Sequence, residues 1–179
     1  LFAIENGSRA WDMASANSDF DIRFVYYRNF EEYLKLSKPK EVLNYAFTEK
    51  LVPCEVHGST FDLSGFDIFK YLHLIKSSNP TAIEWLNSHI CYYGNNDLPL
   101  KKYVNENFSQ LRLFFHYWGV FSKMRNRYVL GKEQTTYKKY LYCFRGLLNA
   151  KFVYHFNEVP PLSFKNTVDK MKQYIPNDV

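Results

Sequence analysis

An α+β (α/β) fold is predicted, a small mixed sheet followed by a helical C-terminal region, and three observations predict it. Apolar runs at residues 1–4 and 22–26 flank the stretch GSRAWDMASANSDFD at residues 7–21, which suits strand, turn, short helix and strand. From Phe66 the apolar period lengthens from two toward three or four. Beyond Gly94-Asn95-Asn96-Asp97, whose residues tolerate turn geometry, two long helical patterns follow one another. That turn divides the chain into residues 1–93, carrying the sheet, and residues 94–179, carrying the helices.

Taken in order, Gly7 allows a tight turn after the first strand, and Ser8 is placed to cap the short helix that follows. The second strand runs on from Asp19-Phe20-Asp21. Residues 30–36 read as a short helix with Glu31 and Glu32 in its first turn, broken by Ser37-Lys38-Pro39-Lys40. Residues 51–56 and 60–63 read as strand around a turn at His57-Gly58-Ser59, which sets Asp62 at the end of a third strand. A well-buried helix starts at Phe66, with Asp67 explained as a cap or dipole partner, and it ends at Ser78. Asn79-Pro80 starts the next helix, since Asn is a good N-cap and Pro suits the first helical position.

In the second half, Leu111, Phe114, Phe115, Trp118, Phe121 and Met124 or Arg125 keep helical spacing up to Gly131, and Tyr137, Tyr140, Leu141, Phe144, Leu147 or Leu148 and Phe152 repeat it. A short connection makes the two helices antiparallel neighbours, and both aromatic stripes are expected in the core. Pro160-Pro161 sets off a last helix over residues 164–174.

Composition excludes several classes. With 46% apolar and 19% aromatic residues in 179, the chain is too rich for disorder and long enough for a sizeable core. Cys54, Cys91 and Cys143 are widely spaced and read as buried thiols rather than as a disulfide framework or zinc site. The five histidines share no metal-ligand spacing, and His73 and His116 are expected as core histidines in apolar helices. P-loop and dinucleotide glycine patterns are absent. No apolar run approaches membrane-spanning length and no signal peptide precedes the first strand, so a cytoplasmic protein without membrane contact is expected. The net charge of +5 hides an asymmetry: residues 1–90 hold 9 Lys and Arg against 12 Asp and Glu, and residues 91–179 hold 14 against 6. The acidic half suits a cation, and the basic half suits a polyanion.

On a strand, residues two apart share a face, so Asp19 and Asp21 present two carboxylates side by side while Phe20 and Ile22 face the other way. Such a pair repels itself unless a cation stands between, and Mg²⁺ takes one or two carboxylates together with substrate phosphates. Gly-Ser about a dozen residues before Asp-x-Asp, between two apolar runs, resembles the signature of the DNA polymerase beta-like nucleotidyltransferase superfamily. Asp62-Leu63-Ser64-Gly65-Phe66-Asp67, Lys76-Ser77-Ser78-Asn79-Pro80 with Glu84-Trp85-Leu86, and Lys138-Lys139-Tyr140-Leu141-Tyr142 with Arg145 resemble successive blocks of the YcgL/RlaP-type predicted nucleotidyltransferases. The resemblance departs at Asp12, where the family usually has a glycine closing the first turn.

The resemblance implies a catalytic core in residues 1–93 and transfer of a nucleoside monophosphate from a nucleoside triphosphate to a hydroxyl, with an RNA or tRNA acceptor among the candidates. It implies Asp19, Asp21 and Asp62 as catalytic ligands of Mg²⁺ or Mn²⁺, and Gly7, Ser8, Arg9, Ser18, Lys70, Lys139 and Arg145 as nucleotide-binding residues. The alternative is a catalytically silent relative that binds nucleotide or RNA through its basic helices.

Overall fold

A computed structural model describes residues 1–175 apart from His57 and Glu133. The expected turn at His57 therefore lies partly outside the described residues. Five strands, β1 (Phe2–Asn6), β2 (Phe20–Tyr26), β3 (Val42–Phe47), β4 (Phe61–Asp67) and β5 (Cys91–Gly94), form one mixed sheet in the order β3-β4-β2-β1-β5. Only β2 and β4 pair in parallel; β1 with β2, β1 with β5 and β3 with β4 are antiparallel. The helices are α1 (Gly7–Ala10), α2 (Phe30–Tyr33), α3 (Ile68–Lys76), α4 (Pro80–Asn87), α5 (Leu100–Asn107), α6 (Gln110–Tyr128), α7 (Tyr137–Phe156) and α8 (Phe164–Met171), the last continued by a 3₁₀ turn to Tyr174. No helix among the described residues is long and apolar enough to cross a membrane.

Several expected boundaries move. Residues 51–56 are not a strand: Leu51 has φ 57°, its N–H donates to the Thr48 carbonyl, and the segment turns back, touching β3 only through a bridge from Pro53 to Phe47. The strand lies earlier, at β3, and Asp62 stands near the beginning of β4 rather than at a strand's end. The helix after β2 stops at Tyr33, short of Leu36. Asp67 is the N-cap of α3, its carboxylate accepting from the Phe69 N–H, and Asn79 caps α4 in the same way through Thr81.

One sheet face does two things. Phe2, Ile4 and Val25 project from it at one end and pack with Tyr71, Ile75, Trp85 and Leu86 of α3 and α4; Phe66 stacks on Trp85 at 4.4 Å. Two and four residues along each strand the same face becomes polar, with Arg23, Asp21, Ser64 and Asp62. The main core continues into Val104 of α5, Leu113 and Tyr117 of α6, and Ala150 and Val153 of α7, so residues from both sides of the 94–97 turn share it.

α6 and α7 pack antiparallel, with the Gln110 side-chain amide donating to the Val153 carbonyl at one end and Phe121 against Cys143 and Gly146 further along. The aromatic stripes are not simply core. In α6 the inward stripe is Leu113 and Tyr117, whereas Leu111, Phe115 and Trp118 are exposed. In α7 the inward residues lie from Cys143 onward, and Tyr137, Tyr140 and Leu141 are exposed. His73 and His116 are exposed rather than core, since each stands beside, not on, the inward stripe of its helix. Of the cysteines only Cys143 is buried; Cys54 sits in an exposed loop and Cys91 on an edge strand.

Candidate active site

The strand register builds the site. Asp21 of β2 stands opposite Asp62 of β4 and opposite Asn6 of β1, so the three side chains form one row across the sheet. Gly7, the next residue after Asn6, has φ 62°, and a Cβ placed on it would lie 1.9 Å from Oδ2 of Asp21. Only glycine accommodates both that backbone and that carboxylate.

Between the two aspartates lies Arg23, two residues beyond Asp21 on the same face. Its Nη2 donates to Asp21 Oδ1 at 2.9 Å and to Asp62 Oδ2 at 2.8 Å, and its Nη1 donates to the Asp62 carbonyl at 2.9 Å. Fully buried Glu5 accepts from the Asp21 N–H at 2.8 Å and from the Tyr92 hydroxyl. Burial raises the Asp21 carboxyl above its usual value, Arg23 opposes that, and the charges of Asp19, Asp62 and Glu5 add to it.

Asp19 lies just ahead of β2, exposed, and borders a polar cavity of about 640 Å³ with Arg9, Ser18 and Lys138. Arg9 fixes this approach: its Nη2 and Nε donate to the Ser18 and Asp19 carbonyls at 2.6 and 3.1 Å, and its guanidinium stacks 3.9 Å from the Phe20 ring centroid. Ser18 is buried and its Oγ accepts from the Ser15 N–H at 2.9 Å, closing the loop that delivers Asp19.

Ser8 is not the helix cap; Asn6 holds that position, and the Ser8 hydroxyl is buried without a hydrogen-bond partner. α1 ends in a Schellman motif, with Met13 N–H donating to the Ser8 carbonyl at 2.8 Å and Asp12 N–H to the Arg9 carbonyl at 3.3 Å. Asp12, at φ 59°, fills the left-handed position of that motif, where glycine is the usual residue.

The structure does not bring the remaining three basic residues to the carboxylates. Lys70 is on α3, beyond the far end of β4 from Asp62, and pairs with Glu41 at 3.7 Å. Lys139 points to the Tyr128 ring, 4.8 Å from its centroid, while its neighbour Lys138 borders the Asp19 cavity. Arg145 is buried: its Nη2 donates to Glu84 Oε1 at 2.8 Å and its guanidinium stacks on Trp11 at 3.9 Å. Glu84 also accepts from Tyr117 OH at 2.9 Å and Trp11 Nε1 at 3.2 Å, so one carboxylate joins α4, α6, α7 and the loop after α1.

Sequence reasoning missed Glu5, Arg23 and Glu84 as members of these networks. Arg23 carried a signal, a cation at the next same-face position after Asp19 and Asp21. Glu84 stood in a block that resembles the family but gave it no role, and Glu5 carried no signal beyond being an acid inside an apolar segment.

Among the described residues, no three His, Cys, Asp or Glu side chains converge closely enough to hold a metal ion. The paired carboxylates with the Gly7 cradle nevertheless fit a hard cation of the Mg²⁺ kind, which takes one or two carboxylates and completes its shell with water and substrate phosphates. Arg23 is the cation now between them.

A match to a family model places the chain, with its two carboxylates on parallel neighbouring strands and its glycine turn, in the DNA polymerase beta class. More closely, the chain belongs to the RlaP family, the RNA repair pathway DNA polymerase beta family, which matches residues 1–177. It is 32% identical over 166 residues to the protein named Uncharacterized protein YcgL of Bacillus subtilis (strain 168), an alignment covering 92% of this chain and 60% of that protein. The chain thus spans about 60% of the length of the curated relative it matches. No solved structure matches it.

Proposed function

We propose that the chain carries the catalytic part of a metal-dependent nucleotidyltransferase, which moves a nucleoside monophosphate from a nucleoside triphosphate to a hydroxyl of an acceptor, an RNA by its family. The observation that carries this reading is the side-by-side register of Asp21 and Asp62 beside the glycine turn at Gly7. Residues 1–93 supply the reacting groups and the basic helices of residues 94–179 meet the acceptor.

The acceptor oxygen attacks the α-phosphorus, the bond from that phosphorus to the bridging oxygen breaks, and pyrophosphate leaves with the electron pair. Divalent metal, when bound, neutralises charge on the phosphates and lowers the pKa of the attacking hydroxyl. Asp21 and Asp62 would hold it once Arg23 yields its place between them, and Asp62 would accept the proton of the attacking hydroxyl. Asp19 would reach the same metal from the neighbouring cavity, where Lys138 would meet the phosphates. Arg9 and Ser18 act by positioning Asp19.

The test is incubation with each labelled nucleoside triphosphate and Mg²⁺ or Mn²⁺ against RNA ends, tRNA and proteins. Transfer of label to RNA, lost in Asp21→Asn and in Asp62→Asn, is expected. A second reading, a catalytically silent binding relative, is favoured by Arg23, whose guanidinium occupies the space between the carboxylates. Nucleotide binding that is unaltered by Asp21→Asn, with no transfer to any acceptor, supports that reading instead.

A further inference from the structure

Between the start of α1 and helices α4, α6 and α7 lies a second cavity, of about 310 Å³, distinct from the polar one beside Asp19. Its chemistry is selective. Tyr117, Val120, Met124 and Tyr142 supply apolar and aromatic surface. Among the described residues, the full charges lining it are Glu84 and Arg145, paired with each other at 2.8 Å. Asn6, Thr81 and His116 also line it, each offering a hydrogen-bond donor and an acceptor, and partial desolvation of the His116 ring, which is otherwise open to solvent, lowers its pKa and favours the neutral form. Such a wall gives no counter-charge to a phosphate, a carboxylate or an ammonium group. It suits an uncharged, flat molecule with polar edges.

The position narrows the choice further. Asn6 lines this cavity and stands directly opposite Asp21 in the β1–β2 ladder, so the cavity begins one strand spacing, about 5 Å, from a proposed metal ligand. A sugar bridges roughly that gap between an α-phosphate and its base. The volume is at the low end of small-molecule pockets, about 300–1,000 Å³, enough for one nucleoside. We propose that this cavity receives the nucleobase of the incoming nucleoside triphosphate, with Trp11 and the Glu84–Arg145 pair holding its wall in place. The inference rests on the nucleotidyltransferase reading for the identity of the ligand, while the cavity itself is independent of the metal.

Calorimetric titration separates the two. Wild type is titrated with adenosine, guanosine, cytidine and uridine without metal, and separately with tripolyphosphate plus Mg²⁺. Val120→Trp places a large side chain into the cavity from a position 40% exposed, so the fold has room to accept it. At least one nucleoside is expected to bind wild type, and Val120→Trp is expected to weaken it tenfold or more while leaving tripolyphosphate binding unchanged. Equal nucleoside affinity in the two proteins overturns the assignment, as does tripolyphosphate binding by wild type with no nucleoside binding at all. Nucleoside binding that is lost in Val120→Trp, with no tripolyphosphate binding by wild type, sustains the cavity and removes the nucleotidyltransferase reading. Should Val120→Trp fail to fold, Thr81→Phe at the exposed first turn of α4 obstructs the same cavity and is read by the same criteria.

Discussion

Gly7 lies so close to Asp21 that a methyl group on its Cα would stand 1.9 Å from the carboxylate oxygen Oδ2. Gly7→Ala therefore combines a steric conflict with a left-handed backbone. It is expected to destabilise the protein by about 2–4 kcal/mol and to displace Asp21. Thermal unfolding measures the first effect. Loss of Mg²⁺-dependent nucleotide binding under conditions where the variant is still folded measures the second.

Asp21 itself is a stability cost at neutral pH. Burial and its acidic neighbours raise its folded pKa above the unfolded value, so its contribution is fully present below the ordinary carboxylate value, about 4, and is lost as pH rises through the folded value. Asp21→Asn keeps an oxygen acceptor for Arg23 and removes the charge. The variant should melt above wild type at pH 7 and lose that advantage below about pH 4. A lower melting temperature for the variant at pH 7 would contradict this account.

Arg23 is the internal counter-ion of the carboxylate pair. Arg23→Gln leaves Asp21 and Asp62 facing each other and is expected to cost about 1–3 kcal/mol, less than a fully buried pair because all three side chains keep some solvent contact. Millimolar Mg²⁺ should raise the melting temperature of the variant more than that of wild type, since no guanidinium competes with the ion. Equal increments would show that the guanidinium and the ion do not share a place.

At Asp12 the backbone adopts φ 59° in the closing position of α1, and its carboxylate comes no nearer than 3.9 Å to His89 Nε2. Asp12→Gly removes the Cβ penalty and is expected to stabilise the protein by about 1 kcal/mol. Denaturant unfolding checks the sign.

Lys138 and Lys139 are adjacent but turned apart, one to the Asp19 cavity and the other to Tyr128. Lys138→Ala should weaken triphosphate binding by about 1–3 kcal/mol, the value of a charge-assisted hydrogen bond, and Lys139→Ala should leave it close to wild type. Titration of both variants with the same nucleotide distinguishes them.

What the sequence made legible follows the layers of the sheet. The inner strands β1 and β2 carry apolar runs, β4 is legible only over residues 60–63 because Phe66 and Asp67 read as part of the following helix, and α3, α4, α6 and α7 keep helical spacing. The strands that escaped notice, β3 and β5, are the two edges; β5 is exposed at all four positions and so has no apolar alternation to read. α5 escaped because Val104 is its one buried residue. In α6 the spacing revealed the helix but not its inward side, because apolar residues occur on both sides and only packing selects Leu113 and Tyr117. At the site, Asp21 could be marked locally, but its register with Asp62, the insertion of Arg23 and the turning of Lys139 away from the cavity depend on strands and helices meeting at long range.

The parallel pairing of β2 with β4 has a consequence for assembly. Residues 27–60 must loop out and return before Asp62 can reach Asp21, and β4 ends up inserted between β2 and β3. Pairing across so long a loop forms late compared with a hairpin. A nascent chain still missing β4 holds Asp21 without Asp62 beside it. The carboxylate pair therefore exists only in a finished sheet.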